Sequence, residues 1–438
     1  MRTGTVDLRT GTSAPGHHGK PHHGKPRIPP RALVEQHVRG RGPGPARPRS
    51  PPRPPPVERI VPALPVPRKG TERHEPLRER HRRRCRGYHV SSEQEVLVEV
   101  RGRVGHLTLN RPRAINALGH PMVQCLDETL TAWEEDDRID TVVIDGAGER
   151  GLCAGGDVRL IRDSALGDGS GAAAFWRDEY LLNARIARYP KPYVALMDGV
   201  VMGGGVGVSA HGSVRVVTER SKIGMPETTI GFTPDVGGTF LLSRAPGELG
   251  THLALTAGSV GAGDAIRLGL ADHYVPSERL PGLTEALFSD PSADKVTAVV
   301  ERFAEPAPEA PLSAERDWID ACYSARTAEE IVARLRDRGT SEAEKAAETV
   351  LSKSPTSVKV TLEALRRARG LPDLPSVLEQ EYRVSCAFLA EPDLAEGIRA
   401  QVVDKDRDPR WDPPTLAGVT DVERFFAPAP TGPLGPAG

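Results

Sequence analysis

Apolar and polar residues alternate most clearly in EVLVEVRGRVGHLTLNRP (95–112), where two runs flank Arg101-Gly102 and predict a β-hairpin. The period then changes. Met122, Leu126, Leu130 and Trp133 follow Pro121 at spacings of four, four and three, which predicts a helix with one apolar face and proline in its first turn. TVVID (141–145) and YVALMDG (193–199) are short apolar runs of buried-strand type, and VRVVTE (214–219) predicts a further strand. Gly203 to His211 reads as a short helix of small residues. Strands alternating with helices predict an α/β core. From about Pro276 the strand patterns fade. Ser354 and Pro355 form a cap and first-turn pair, and Val358, Leu362 and Leu365 share a face. Arg366, Arg367 and Arg369 suit the negative end of that helix, and Gly370 stops it. A second helix is predicted from about Val377 to Leu389. The C-terminal third therefore reads as mainly helical.

Composition sets the outer limits. Residues 1–90 carry 21 Lys and Arg against 6 Asp and Glu, and 17 of the 41 prolines. With little apolar periodicity, that stretch reads as a disordered basic tail, dispensable for folding and activity. The expected division is this tail (1–90), an α/β core (91–285), a helical region (286–415) and a loose Pro/Gly-rich end (416–438). HHGKP occurs twice, at 17–21 and 22–26, and reads as a low-complexity repeat rather than a metal site. RHRRRCR (80–86) reads as a solvated charge run rather than a nucleic-acid contact. The five cysteines are scattered with no CxxC pair, which argues against a zinc site or a disulfide framework and fits a reducing cytoplasm. No apolar run is long enough for a membrane span, and the N-terminus lacks the apolar segment of a secretory signal.

The candidate chemistry lies between 153 and 238. CAGGD (153–157) and MGGGVG (202–207) each place bare backbone just after a strand. Alone, the first is equally a tight turn and the second equally a close helix–strand contact. Together they offer two separated N–H donors, the requirement of an oxyanion hole. Glu227 follows Met225-Pro226, Asp235 precedes Gly237-Gly238, and Glu179 lies in FWRDEYLLN. Each acid alone is more readily a first-turn, turn or helix-surface residue than a catalytic one. A carboxylate near an oxyanion hole can move a proton or activate water. Two competing patterns are weak. Gly205, Gly207 and Ala210 match a dinucleotide fingerprint without the wider βαβ context. Gly207 to His211 begins like a nucleophile elbow, but His211 replaces the closing glycine.

CAGGD, MGGGVG and MPETTIGFTPDVGG (225–238) resemble the crotonase, or enoyl-CoA hydratase/isomerase, superfamily. The resemblance runs from about Glu95 to Trp411. It includes LNRPRAINAL (109–118), KPYVALMDGVVMGGGVG (191–207), SPTSVKVTLEAL (354–365) and EGIRAQVVDKDRDPRW (396–411), the last two typical of its thioester-hydrolase branch. It implies an α/β spiral of ββα repeats with a mainly helical C-terminal region and an acyl-CoA substrate. The implied reaction is hydrolysis of 3-hydroxyisobutyryl-CoA, or another short 3-hydroxyacyl-CoA, in valine breakdown. No metal or redox cofactor is implied, and a homo-oligomer is compatible with it.

Carried over residue by residue, the N–H groups of Gly156 and Gly204 would hold the thioester oxygen. Glu227 would be the catalytic carboxylate, Asp235 would bind the 3-hydroxyl, and Glu179 would line the acyl pocket. The loop of Arg113, Ala114 and Ile115 would contact CoA. Hydratases of the superfamily use two glutamates, and the position matching one of them is Gly207 here. That favours hydrolysis over the alternative of an enoyl-CoA hydratase or isomerase. A catalytically inert scaffold with a nucleic-acid-binding tail is the third reading. The small-residue segment DSALGDGSGAAA (163–174) reads as a loop, either a lid or plain solvent-facing chain.

Overall fold

The computed structural model describes residues 94–290, 292 and 294–435. The expectations for residues 1–90 lie outside this range.

The hairpin forms as expected, with β1 (Val96–Arg101) antiparallel to β2 (Val104–Leu109). After it come α1 (His120–Glu134), β3 (Thr141–Gly146), α2 (Val158–Ala165) and α3 (Ser170–Ala187). Then follow β4 (Tyr193–Met197), β5 (Val200–Met202), the one-turn α4 (Gly204–Gly207), β6 (Val214–Val217) and β7 (Lys222–Gly224). A 3-10 turn at Glu227–Ile230 leads into α5 (Gly238–Ser243) and α6 (Leu249–Thr256), then β8 (Ser259–Val260), α7 (Ala262–Arg267) and β9 (His273–Tyr274).

Two sheets result. Six strands lie in the order β1-β2-β3-β4-β6-β9, parallel throughout after the hairpin. Three more form β5-β7-β8. Residues 151–153 extend this smaller sheet through bridges from Gly151 to Gly199 and Cys153 to Val201. The chain thus visits the large sheet, then the small one, then a helical segment, and repeats. These are the turns of a ββα spiral. The large-sheet strands read as continuous apolar runs because both faces are covered. One face carries Val104, Val143, Val194, Leu196 and Val216 against Leu283, Leu287, Val299 and Val300 of α8 (Leu280–Ser289) and α9 (Val296–Glu301).

The C-terminal region is helical: α10 (Leu312–Tyr323), α11 (Ala328–Arg338), α12 (Ser341–Leu351), α13 (Pro355–Gly370), α14 (Leu374–Phe388) and α15 (Pro392–Ile398). Ser354 caps α13 by accepting the Ser357 N–H at 3.1 Å, worth about 1 kcal/mol. Helix α13 packs on α5 and α6, α14 on α3, and α15 on α2 and the Glu227 turn. This region therefore closes over the spiral where the second strands end.

Two expectations change. Residues 163–174 are not a loop: only 166–169 turn, between the end of α2 and the start of α3. Ala172 and Ala173 are buried there, so tertiary packing makes helix from a sequence with little periodicity. Nor are residues 416–435 loose. Phe425 is buried with its ring 4.9 Å from that of Phe388, and Arg177 donates to the carbonyls of Pro433 and Leu434. No helix among the described residues is long and apolar enough to cross a membrane.

Candidate active site

A pocket of about 550 Å³, part of it open to solvent, lies where the two glycine turns meet the C-terminal helices. Gly155, Gly156, Gly203 and Gly204 form one wall, and Glu179, Glu227 and Asp235 reach it from three elements. Val158, Ile161, Phe175, Trp176, Phe232, Leu394 and Ile398 supply apolar surface. The Trp176 and Phe232 rings stack at 5.1 Å, and Phe232 abuts Phe388, tying this surface to α14.

The glycine wall is built by close approach. Gly203 has φ of +49°, and a Cβ there would stand 2.7 Å from Glu227 Oε1. A Cβ on Gly204 would stand 2.5 Å from Glu179 Oε1 and 3.3 Å from the Gly156 nitrogen. The consecutive glycines thus make room for two carboxylates and bring the second backbone donor alongside the first. Gly204 opens a one-turn helix, so its N–H has no partner within that helix. The bridge between Leu118 and Gly156 uses the Gly155 carbonyl and the Asp157 N–H. Among the described residues neither the Gly156 nor the Gly204 N–H is taken by a backbone carbonyl. Two adjacent donors facing a pocket can hold a developing oxyanion.

The loop Arg113-Ala114-Ile115 does not line this pocket. Arg113 and Ala114 are exposed, Ile115 adopts φ of +49°, and its carbonyl accepts the Ala154 N–H at 2.9 Å. The loop therefore runs beside the first glycine turn at the surface. Asn116 pins it, accepting from the Arg111 N–H and donating to the carbonyls of Ala147 and Gly151.

The acid wall is the electrostatic centre. Glu179, Glu227 and Asp235 are all buried. Glu179 Oε1 and Glu227 Oε2 have no hydrogen-bond partner among the described residues. Burial, and then the charge of Asp235, push Glu179 and Glu227 well above the usual carboxylate range. Burial pushes Asp235 up to about 7, opposed by the hydrogen bond it accepts from the Tyr180 hydroxyl at 2.8 Å. Three buried acids this close share their protons as one system. An acid titrating near neutrality beside backbone donors and an apolar slot can deliver or remove a proton at pH 7.

Sequence reading missed Tyr180, Glu381 and Ser385. The Tyr180 hydroxyl bridges Asp235 and Ser385, the latter at 2.7 Å. Glu381 is fully buried beneath the Asp235 turn. A signal existed: Glu381 shares its helix face with Val377, Leu378, Tyr382 and Ser385, so a carboxylate sits on an apolar stripe.

Position 207 is closed to a carboxylate. A Cβ there would lie 2.8 Å from both Asn183 Nδ2 and Val236 Cβ, within a packed interior. A glutamate at that point needs the backbone and Asn183 to move.

A sequence model of the enoyl-CoA hydratase/isomerase family matches residues 104–426. Among curated relatives, the protein named 3-hydroxyisobutyryl-CoA hydrolase, mitochondrial, of Danio rerio is 42% identical over 358 residues, 78% of this chain and 93% of its own. The Homo sapiens protein of that name is 41% identical over 343 residues, 76% of this chain and 88% of its own. Among solved structures, one named as a carnitinyl-CoA dehydratase from Mycobacterium thermoresistibile is 54% identical, with a TM-score of 0.75 over 78% of this chain and 98% of that one. One named as an enoyl-CoA hydratase from Rhodobacter sphaeroides is 41% identical, with a TM-score of 0.72 over 78% of this chain and 99% of that one.

Proposed function

The chain belongs to the enoyl-CoA hydratase/isomerase family, and from that premise we propose that it hydrolyses 3-hydroxyisobutyryl-CoA to the free acid and CoA, a step of valine breakdown. The carrying observation is a cluster of three buried acids set against two backbone donors in one apolar pocket. In this reading the thioester oxygen sits between the Gly156 and Gly204 N–H groups, which hold the charge that develops on it. Glu227 then drives attack on the thioester carbon, either by taking a proton from water or by adding directly to give a mixed anhydride. In the first route the water oxygen ends in the carboxylate product, one water proton passes by way of Glu227 to the departing CoA sulfur and the other is released. In the second, CoA leaves as the thiolate and takes a proton from solvent, and water then cleaves the anhydride to the carboxylate product and free Glu227, releasing its two protons. Asp235 accepts the substrate's 3-hydroxyl, Glu179 borders the acyl group, and the Arg113–Ile115 loop contacts CoA outside the pocket. No metal or redox group enters these steps. The compartment we propose is the reducing cytoplasm, on the scatter of the cysteines.

The names of the solved relatives favour a second reading, hydration or dehydration of an acyl-CoA. Adding water across a double bond calls for a second acid–base group, and the packing around Gly207 leaves it no room. The test is thiol release from 3-hydroxyisobutyryl-CoA, run beside crotonyl-CoA hydration and carnitinyl-CoA dehydration on one preparation. Rapid thiol release with negligible change of the other two is the expected result. Hydration or dehydration without thiol release overturns the hydrolase reading.

A further inference from the structure

Asp235 sits on an unusual piece of backbone. Val236, the next residue, has φ of +51°, a left-handed conformation that a β-branched side chain rarely tolerates, and Gly237 follows at +79°. Such a turn persists only where its surroundings over-determine it. Three groups do so, the buried Glu381 and Tyr180 and the half-buried His211. Glu381 of α14 accepts the Gly237 N–H at 2.6 Å on one oxygen, and the Thr239 N–H at 2.9 Å and Thr239 hydroxyl at 2.5 Å on the other. His211 holds the Val236 carbonyl at 2.8 Å; a carbonyl only accepts, so Nε2 carries the proton. Tyr180 donates to Asp235 Oδ2 and is itself tied to Ser385, one turn along α14 from Glu381.

We propose that Glu381 is a positioning residue for Asp235: by clamping the turn on either side of Gly237 it aims the Asp235 carboxylate at the substrate's 3-hydroxyl, and so sets the preference for 3-hydroxylated over unsubstituted acyl-CoA. The inference rests on the hydrolase reading above. It gives the C-terminal region a part in specificity without any contact with substrate. All three hydrogen bonds to Glu381 come from donors, so a side-chain amide cannot replace the carboxylate. In Glu381→Gln, whichever way the amide turned, its NH₂ would face either the Gly237 N–H or the Thr239 pair. A slack turn lets Val236 relax out of the left-handed region and carries Asp235 away from the hydroxyl.

The test compares Glu381→Gln with Asp235→Asn on two thioesters, 3-hydroxyisobutyryl-CoA and isobutyryl-CoA, which differ only in the hydroxyl. Isobutyryl-CoA is read as a substrate and as a competitor. For Glu381→Gln, kcat/KM on the hydroxylated thioester is expected to fall by on the order of tenfold or more, the scale of one hydrogen bond to a charged group. The turnover and inhibition constant of isobutyryl-CoA should change little in Glu381→Gln, whereas Asp235→Asn, which removes the charge beside Glu227, is expected to change turnover of both thioesters and to lower that of the hydroxylated one more. Thr239→Val removes one of the three donors and keeps the fold if Glu381→Gln does not. It should shift discrimination the same way by less, with Thr239→Ser restoring it. Equal losses on both thioesters, or none on either, overturn the positioning role. A wild-type chain inert toward both overturns the hydrolase reading itself, and this inference with it.

Discussion

The pocket has two walls made in opposite ways. The glycine wall, which is the oxyanion wall of the proposed reaction, is bare backbone at Gly156 and Gly204, fixed by the sheets, and its proposed role depends on what is missing: no side chain blocks either N–H. The acid wall is three carboxylates on separate elements, and it works through what is added: Tyr180, His211 and Glu381 hold one short turn in place. The first needs space and the second needs supports. They should therefore fail differently when altered.

The largest loss is expected on the acid wall. Glu227→Gln keeps the shape of the side chain and removes its basicity and nucleophilicity. Thiol release should drop by about 10³-fold, the scale of a lost general base, while the melting temperature holds or rises because one buried carboxylate is gone. Retention of most of kcat would move the catalytic role to Asp235 or Glu179.

Next comes Gly204→Ala on the oxyanion wall. Its methyl would meet Glu179 Oε1 at 2.5 Å and Leu118 Cδ1 at 3.2 Å, so the turn must shift and carry its N–H out of line. Losing one such donor typically costs about 10²–10³ in kcat. The expected outcome is a loss of that order in kcat with a modest change in KM, measured by thiol release. A variant of normal kcat would show that the donors lie elsewhere.

The acid wall also carries a pH signature that the oxyanion wall lacks. Burial raises Asp235 to about 7, with Glu179 and Glu227 shifted the same way; the three donors on Glu381 keep it a carboxylate against the pull of burial, and His211, pushed down to about 4, stays neutral throughout. An acid whose folded pKa is raised contributes stability that is present below its unfolded value and lost as pH rises through the folded one. The melting temperature of the ligand-free protein should thus fall between about pH 5 and 8.5. The proposed reaction needs Glu227 ionised, so kcat/KM should climb with pH across neutrality. Asp235→Asn should flatten the stability slope, whereas Gly204→Ala should leave it alone. Parallel rises of activity and stability with pH would show that the acids are ionised well below neutrality.

How far each wall could be read from sequence follows from the same difference. Glycines at 155–156 and 203–205 are locally costly in a helix or strand and stand out without any knowledge of the fold. Strong local patterns also located the hairpin, α1, β3, β4, β6 and the capped start of α13. The three-residue strands β5 and β7 escaped because so short a run carries no period. The helical ends within 163–174 and the packed stretch 416–435 escaped because burial against distant elements, not local preference, orders them. The supports of Asp235 escaped for the same reason. Tyr180, His211 and Glu381 lie 24 to 146 residues from it in sequence and meet only when the C-terminal helices close over the spiral.

The smallest effect should separate the two glycine turns from each other. A Cβ on Gly156 would meet Phe175 Cε1 at 3.4 Å, Phe175 Cζ at 3.5 Å and Ile161 Cδ1 at 3.8 Å, all ordinary contacts with apolar side chains. It would meet no carboxylate, and the Leu118 bridge that sets the N–H direction runs through the neighbouring peptide groups. Gly156→Ala should therefore keep kcat within a few-fold of wild type and raise KM slightly as the methyl intrudes on the slot. The same one-carbon change at Gly204 should be far more damaging. If the two substitutions prove equally harmful, the space around Gly204 is not what distinguishes the turns. Neither glycine has a positive φ, so an equal loss would have to come from each methyl crowding the thioester oxygen at its own donor.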